Sequence, residues 1–204
     1  MDILTLSQYV INQFSQQSPD GITPLKLQKL LYYIKVWTLV AREPFVNAEF
    51  EHWDYGPVNR EIYNYYKKYG NQPIFPMEVA QVEIRENQKE IIDFIVENYM
   101  SLDAFKLSEM THTEKPWKNT KQYEIIYDQL IYSYYIKQQF AKNFQPFDLS
   151  NNPFYPLDSY SFILDIHEKD AQEIIQYSNY KHYKNAISQA ERDFNKQWSK
   201  FVLI

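Results

Sequence analysis

The sequence predicts a mainly α protein, a compact multi-helix domain with a small accessory β-sheet and a C-terminal strand-helix extension. Three observations predict it. Apolar residues recur at helical spacing in the first part of the chain, most clearly Leu27, Leu30, Leu31 and Ile34. One short run, Glu49–Trp53, is rich enough in aromatics for a strand, although it alternates only imperfectly. Beyond residue 144 a proline-rich connector leads to SFILDI, Ser161–Ile166, the best strand candidate in the chain. The organisation is therefore a helical domain over 1–143 and, over 144–204, a connector, strand and C-terminal helices that can bind a partner.

In chain order, Leu4–Gln16 forms a first helix with Leu6, Val10 or Tyr9, and Phe14 along one side. Ser18-Pro19-Asp20-Gly21 is strong turn chemistry. Thr23 caps the second helix and Pro24 takes its first position, where a missing N–H costs nothing. This helix, Pro24–Arg42, buries Leu27, Leu30, Leu31, Ile34 and Trp37 or Thr38, while Lys26, Lys29 and Lys35 lie mostly away from the stripe, as solvated charges do. Tyr55-Gly56-Pro57 breaks the strand that follows. Val58 or Asn59 starts a third helix with Ile62, Tyr65 or Tyr66, and Tyr69 on its inner face. Gly70 sits where a helix takes a left-handed residue, and Pro73 prevents resumption. Asn71–Pro76 is a loop, and Met77–Arg85 reads as strand or coil.

Asn87 caps a helix over Gln88–Met100, whose inner side is Ile91, Ile92, Ile95 and Tyr99. Ser101 caps another over Leu102–Met110, with Phe105 facing inward. Thr111–Lys121 is a loop fixed by Pro116. A long helix, Tyr127–Asn143, carries Leu130, Ile131, Tyr134 and Phe140. Gln145–Ser161 holds three prolines and is a rigid extended connector. Two helices follow the candidate strand, Asp170–Tyr177 and Tyr180–Val202. The second presents Ile187, Phe194, Trp198 and Phe201 either to the domain or to a partner's groove.

Composition excludes several function classes. A chain of 204 residues buries roughly 70% of its unfolded surface and needs no staple. With no cysteine, disulfides and thiolate zinc sites are ruled out, which fits a reducing cytosol. Met1–Val10 lacks a basic leader region, and no apolar run approaches the ~18 residues of a membrane span, so a cytoplasmic protein without a membrane partner is expected. The net charge is −5. Split after Gly70 and Ser150, the three parts carry 0, −4 and −1, so no part shows the positive face of a nucleic-acid binder. The 19 tyrosines suit wet contact surfaces, but the accompanying Asn, Lys, Ile and Gln equally reflect an AT-rich codon bias.

Little in the sequence points to catalysis. Thr111-His112-x-Glu114 ahead of Pro116-Trp117 resembles a metal or acid–base site, yet only His52, His112, His167 and His182 exist and a zinc site needs three or four ligands. Thr111, His112 and Glu114 instead suit the free backbone groups of a helix end. Asp93, Glu97, Asp103 and Glu109 have the spacing of solvated helix faces. No phosphate loop, G-x-S-x-G or nucleophile–base pair occurs, so no enzyme activity and no cofactor are expected. Trp53-Asp54-Tyr55-Gly56-Pro57 reads first as a structural turn, with the two aromatics pinning it to the helix Pro24–Arg42. Such a turn can still display Asp54 and Asn59 to a partner.

Four ordered blocks carry a resemblance. LKLQKLLYY at Leu25–Tyr33, WDYGPV at Trp53–Val58, YKKYG at Tyr66–Gly70 and LSEMTHTEKPW at Leu107–Trp117 resemble the Panacea domain, a phage-associated, GepA-like bacterial family that includes the SocA-type antitoxins. The motif residues are Leu27, Gln28, Lys29, Leu30, Tyr32, Trp53, Tyr55, Gly56, Pro57, Val58, Tyr69, Gly70, Thr111, His112, Pro116 and Trp117, and the resemblance ends near Phe140. It implies an antitoxin of a toxin-antitoxin system that neutralises a cognate protein toxin by direct binding. Its alternative is a proteolytic adaptor that delivers the toxin to a cellular ATP-dependent protease. A DNA-binding autoregulator would need a basic helix face that is not found. Asp54, Asn59 and Arg60 in the domain, with Tyr155, Tyr160 and Trp198 beyond it, are the candidate partner contacts. Because the family pairs with toxins of unrelated folds, specificity is expected to rest on Gln145–Ile204, outside the resemblance.

Overall fold

The fold is arranged around one helix with almost no exposed side. The computed structural model describes residues 1–18, 20–76 and 84–144, together with Gln189 and Arg192. Seven helices and one hairpin are found among these residues: α1 Ile3–Phe14, α2 Pro24–Val40, β1 Glu51–Trp53, β2 Gly56–Val58, α3 Arg60–Tyr66, α4 Glu86–Met100, α5 Ala104–Thr113, α6 Lys115–Lys118 and α7 Asp128–Tyr135. Short 3-10 turns follow α3 at Lys67–Tyr69 and α7 at Gln139–Asn143. The mainly α class with a small antiparallel sheet is as the sequence predicts. The connector, strand and helices expected beyond Gln145, and Met77–Glu83, fall outside the described residues apart from Gln189 and Arg192.

Local chemistry accounts for where most helices start. Asp2, Thr23, Asn59 and Asp103 each accept a backbone N–H of the first turn of their helix. Ser18 closes the first turn onto Gly21, whose φ of +70° suits glycine. Four boundaries differ from expectation. α4 starts at Glu86 behind Arg85, so Asn87 lies inside its first turn and does not cap it. Asp103, not Ser101, caps α5, because its carboxylate reaches Lys106 N at 2.7 Å. That register leaves Phe105 exposed, not inward, and buries Leu107, Ser108 and Thr111. The segment Thr111–Lys121 is helical over much of its length, with Pro116 tolerated near the start of α6, where no N–H is needed. The long helix expected over Tyr127–Asn143 is broken at Ile136–Gln138 into α7 and a 3-10 turn, and both pieces reach the core through Ile131, Tyr135 and Phe140.

The central helix α2 packs against α1, α3, α4, α5, α7 and β2. Its aliphatic residues Leu27, Leu30, Leu31, Ile34 and Val36 form the middle of the core, and its aromatics extend it. Tyr33 stacks on Tyr99 at 4.1 Å, and Trp37 donates from Nε1 to the Tyr99 hydroxyl at 2.8 Å.

Lys26, Lys29 and Lys35 correct the sequence reading, since all three are buried. A helix wrapped on every side leaves no solvated face, so each ammonium must find partners inside. Lys26 Nζ donates to Ser18 Oγ at 2.9 Å and to the Met100 carbonyl at 2.7 Å. Lys35 bonds the Ala48 carbonyl and pairs with Asp128 at 2.7 Å. Lys29, completely buried, donates to the Pro57 carbonyl at 2.8 Å.

The nearest acid to Lys29's environment is Glu114, at the junction of α5 and α6. The residue is partly exposed, but its carboxylate is enclosed and accepts hydrogen bonds from Tyr33 at 3.0 Å and from Tyr135. Burial pushes the Glu114 carboxyl up to about 7, although both phenols and the Lys29 ammonium favour its charged form. Burial likewise lowers the Lys29 ammonium to about 7, against the pull of Glu114.

Linkage fixes the sign. A carboxyl raised from 4.5 to about 7 contributes stability that is complete below pH 4.5 and lost as pH rises through about 7. Glu114→Gln keeps the shape and removes this titration. Urea unfolding from pH 4.5 to 8 should find the variant gaining on the wild type with rising pH, by up to about 3 kcal/mol. A constant difference across that range would mean that Glu114 does not titrate in the folded protein.

Candidate interaction face

The hairpin is assembled from the chain outward. β1 and β2 pair with Glu51 opposite Val58, His52 opposite Pro57 and Trp53 opposite Gly56, so the turn is Asp54-Tyr55. Tyr55-Gly56-Pro57, expected to break the strand, does end β1, but Gly56 and Pro57 go on with Val58 to form a second strand. A short proline-containing strand of this kind is allowed because the Pro57 position needs no ladder N–H. On the other edge of β1 the chain returns antiparallel, with His52 N donating to Glu124 at 3.0 Å and Ile126 N to Phe50 at 2.8 Å.

Three elements grip the backbone of this hairpin. Along its tip, alternate carbonyls are taken by side chains: Trp53 by Trp117 Nε1 at 3.1 Å, Tyr55 by Ser108 Oγ at 2.8 Å, and Pro57 by Lys29. Gln28 closes a two-way clamp on Asn59, accepting its N–H at 2.8 Å and donating to its carbonyl at 3.0 Å. Asn59 in turn donates from Nδ2 to the Glu49 carbonyl at 2.9 Å and caps α3 through Ile62 N at 2.9 Å. Gly56 has φ +95°, and a Cβ there would lie 2.4 Å from Thr111 Oγ1 and 2.8 Å from Lys29 Nζ.

Beneath the hairpin, Trp117 lies between two imidazoles, stacked on His52 at 3.9 Å and tilted against His112 at 4.3 Å. His52 Nδ1 meets the Thr120 carbonyl at 2.7 Å. Burial, then Lys29, lowers the His112 imidazole, opposed by its bond to the Asp54 backbone. His112 thus serves the helix end and the hairpin. No cluster of three or more potential metal ligands occurs among the described residues.

The opposite face of the hairpin is aromatic and open. Trp53 is half-buried, and rather than resting on α2 its ring meets Tyr63 at 4.9 Å and Tyr123 at 6.1 Å, with the Arg60 guanidinium 5.6 Å above it. Arg60 makes two bonds to Glu51, at 2.9 and 2.6 Å, and Trp53 Nε1 donates to the same carboxylate at 2.9 Å. The Arg60 bonds hold the Glu51 carboxyl below its usual value. Tyr55, Tyr63 and Tyr123 are 62%, 42% and 59% exposed. Tyr123 has φ +65°, a conformation that a large side chain rarely adopts, and its ring stands beside Trp53. Gln122 Nε2 bonds the Asp54 carboxylate.

Of the candidate contacts named from sequence, Asp54 and Arg60 lie on this open face, whereas Asn59 is buried with its amide engaged at both ends. Tyr155, Tyr160 and Trp198 lie outside the described residues. Leu27, Leu30, Tyr32, Val58 and Pro116 are buried, Tyr69 packs against the core, and Gly70 is exposed with φ +58°. Sequence reasoning missed Tyr63, Gln122 and Tyr123. Tyr63 follows Arg60 by three residues and was findable by helical spacing; nothing local marks Tyr123.

Residues 27–118 match the family model described as antitoxin SocA-like, Panacea domain. The match takes in the first sequence block from Leu27 onward and the other three in full, and it stops short of Phe140. No curated protein and no solved structure matches the chain.

Gly56 and Gly70 give a controlled comparison. Both have positive φ, worth roughly 1–3 kcal/mol of strain to another residue. Only at Gly56 does a Cβ also meet Thr111 and Lys29, whereas nothing lies within 4 Å at Gly70. Thermal melts should therefore place Gly56→Ala well below Gly70→Ala, by about 5 °C or more. Equal melting temperatures would mean that the hairpin is not held as tightly as these contacts imply.

Proposed function

We propose that this Panacea-domain protein is an antitoxin that neutralises a protein toxin encoded beside it by holding the toxin in a direct complex. The family match over residues 27–118 carries this reading. The geometry supports it in a specific way. The motif residues Gln28 and Lys29 hold main-chain groups of the hairpin, and the motif residue Gly56 lets it lie close against Thr111 and Lys29. The result is a fixed backbone carrying exposed Tyr and Arg beside a half-buried Trp, the residue types on which binding energy concentrates. Discrimination among toxins is a task we assign to residues 144–204.

The test is co-expression with the product of the adjacent reading frame. Growth should be restored by this protein, and the two chains should elute together after purification. Rescue that needs an ATP-dependent protease and yields no lasting complex would favour delivery for degradation instead. Binding to the operon's own promoter at ~150 mM salt, steepening as salt falls, would favour a DNA-binding regulator.

A further inference from the structure

We infer that the open face of the hairpin docks a basic surface of the toxin, whose arginine and lysine side chains stack on Trp53, Tyr63 and Tyr123 and pair with Glu49, Asp54 and Glu61. This rests on the antitoxin reading and names the contact within it.

The chemistry of the face selects the partner. Its rings are already arranged for cations: Arg60 stands over Trp53 at 5.6 Å, and Lys67 over Tyr63 at 5.9 Å. Arg60 and Lys67 each take one face of these rings, which shows that the rings accept cations, and the carboxylates of the rim add to this. Six carboxylates lie on the hairpin, the first turn of α3 and the returning segment. Three have a cation: Glu51 with Arg60, Glu124 with Lys121 and Asp128 with Lys35. Glu49, Asp54 and Glu61 have no ion-pair partner among the described residues.

Placement brings these groups to one side. Along extended backbone alternate residues share a face, so Glu49, Glu51 and Trp53 form one outward row while Phe50 is buried and His52 stacks on Trp117. Asp54 sits in the turn at the end of this row, and Glu61 follows Arg60 on the first turn of α3. An acidic rim around exposed aromatics repels acidic partners and steers basic ones, and it excludes nucleic acid from the face.

Three forms of the full-length chain test this against the purified product of the adjacent reading frame, its own activity silenced by mutation. The rim variant is Glu49→Lys with Asp54→Lys and Glu61→Lys. The ring variant is Tyr63→Ala with Tyr123→Gly, glycine being free of strain at the positive φ of residue 123. The control is Glu43→Lys with Glu90→Lys, two exposed carboxylates elsewhere. Affinity is measured at low and high salt, with circular dichroism melts for each form.

Wild-type binding should weaken as salt rises. The rim variant should bind at least about tenfold more weakly at low salt and lose that salt dependence. The ring variant should lose about tenfold or more at both salts, while the control stays within about twofold. The two variants alter different side chains, so a folding defect in one leaves the other decisive. Wild-type affinity in whichever of them is folded overturns the proposal and leaves the antitoxin reading intact. A wild-type protein that neither binds nor protects overturns the antitoxin reading, and the docking face falls with it.

Discussion

The hydrogen bond from Lys29 Nζ to the Pro57 carbonyl is the constraint on which the rest of the structure depends. It joins the middle of the core to the only hairpin among the described residues. A buried ammonium is costly, and this one is tolerated because its alternatives are worse. Withdrawn from Pro57, it would be a buried charge without its hydrogen-bond acceptor, and the carbonyl would be an orphan in the same place. Gln28, one residue earlier, fixes the peptide of Asn59 from both sides. Helix and hairpin therefore cannot slide independently. Lys26 and Lys35 tie α2 to Met100 and to Ala48 and Asp128 in the same manner, so the central helix is positioned by polar contacts as much as by its apolar ones.

This division between a polar interior and an aromatic exterior runs through the hairpin itself. Its inner side holds Lys29, Thr111, His112 and Trp117, all engaged with backbone. Its outer side holds Trp53, Arg60, Tyr63 and Tyr123, arranged by stacking and by the Glu51 carboxylate. A binding face built on such a support loses little freedom when it meets a partner, because the backbone below it is already immobilised. The strained φ of Tyr123 fits the same logic. The paired segment that follows it supplies the hydrogen bonds that hold that residue in place.

Much of the fold was legible in the sequence, and what was not has physical causes. The Thr23–Pro24 start of α2, the Ser18–Gly21 turn and the Leu27/Leu30/Leu31/Ile34 stripe rest on local rules that tertiary structure did not override. The lysines were misread because the rule that charges face water assumes that a helix has a wet side. Nothing local tells that α1, α3, α4, α5, α7 and β2 all converge on α2. Phe105 was misplaced because the helix starts two residues later than expected, since Asp103 and Ser101 are both good caps and only packing chooses between them. Tyr55-Gly56-Pro57 was read only as a break because proline argues against a strand, and the carbonyl that Pro57 offers to Lys29 is not a sequence signal. Of the open face, Trp53, Asp54, Tyr55 and Arg60 were in view as a cluster. Tyr123 joins them only because its segment returns along β1, with Ile125 opposite Glu51, far along the chain.

The way the hairpin is held bears on how one scaffold can serve different partners. Trp117, Ser108 and Lys29 all grip main-chain oxygens, those of Trp53, Tyr55 and Pro57. A carbonyl is present whatever the side chain, so this grip places no demand on the identity of residues 53–55. The demands fall on Gly56, where a Cβ would collide, and on the gripping residues themselves. The ends of the outward row, Glu49 and Asp54, are likewise unconstrained by ion pairs among the described residues. A support that fixes shape through the backbone lets the outer side chains be fitted to a partner without disturbing the core that holds them, while discrimination among partners stays assigned to residues 144–204.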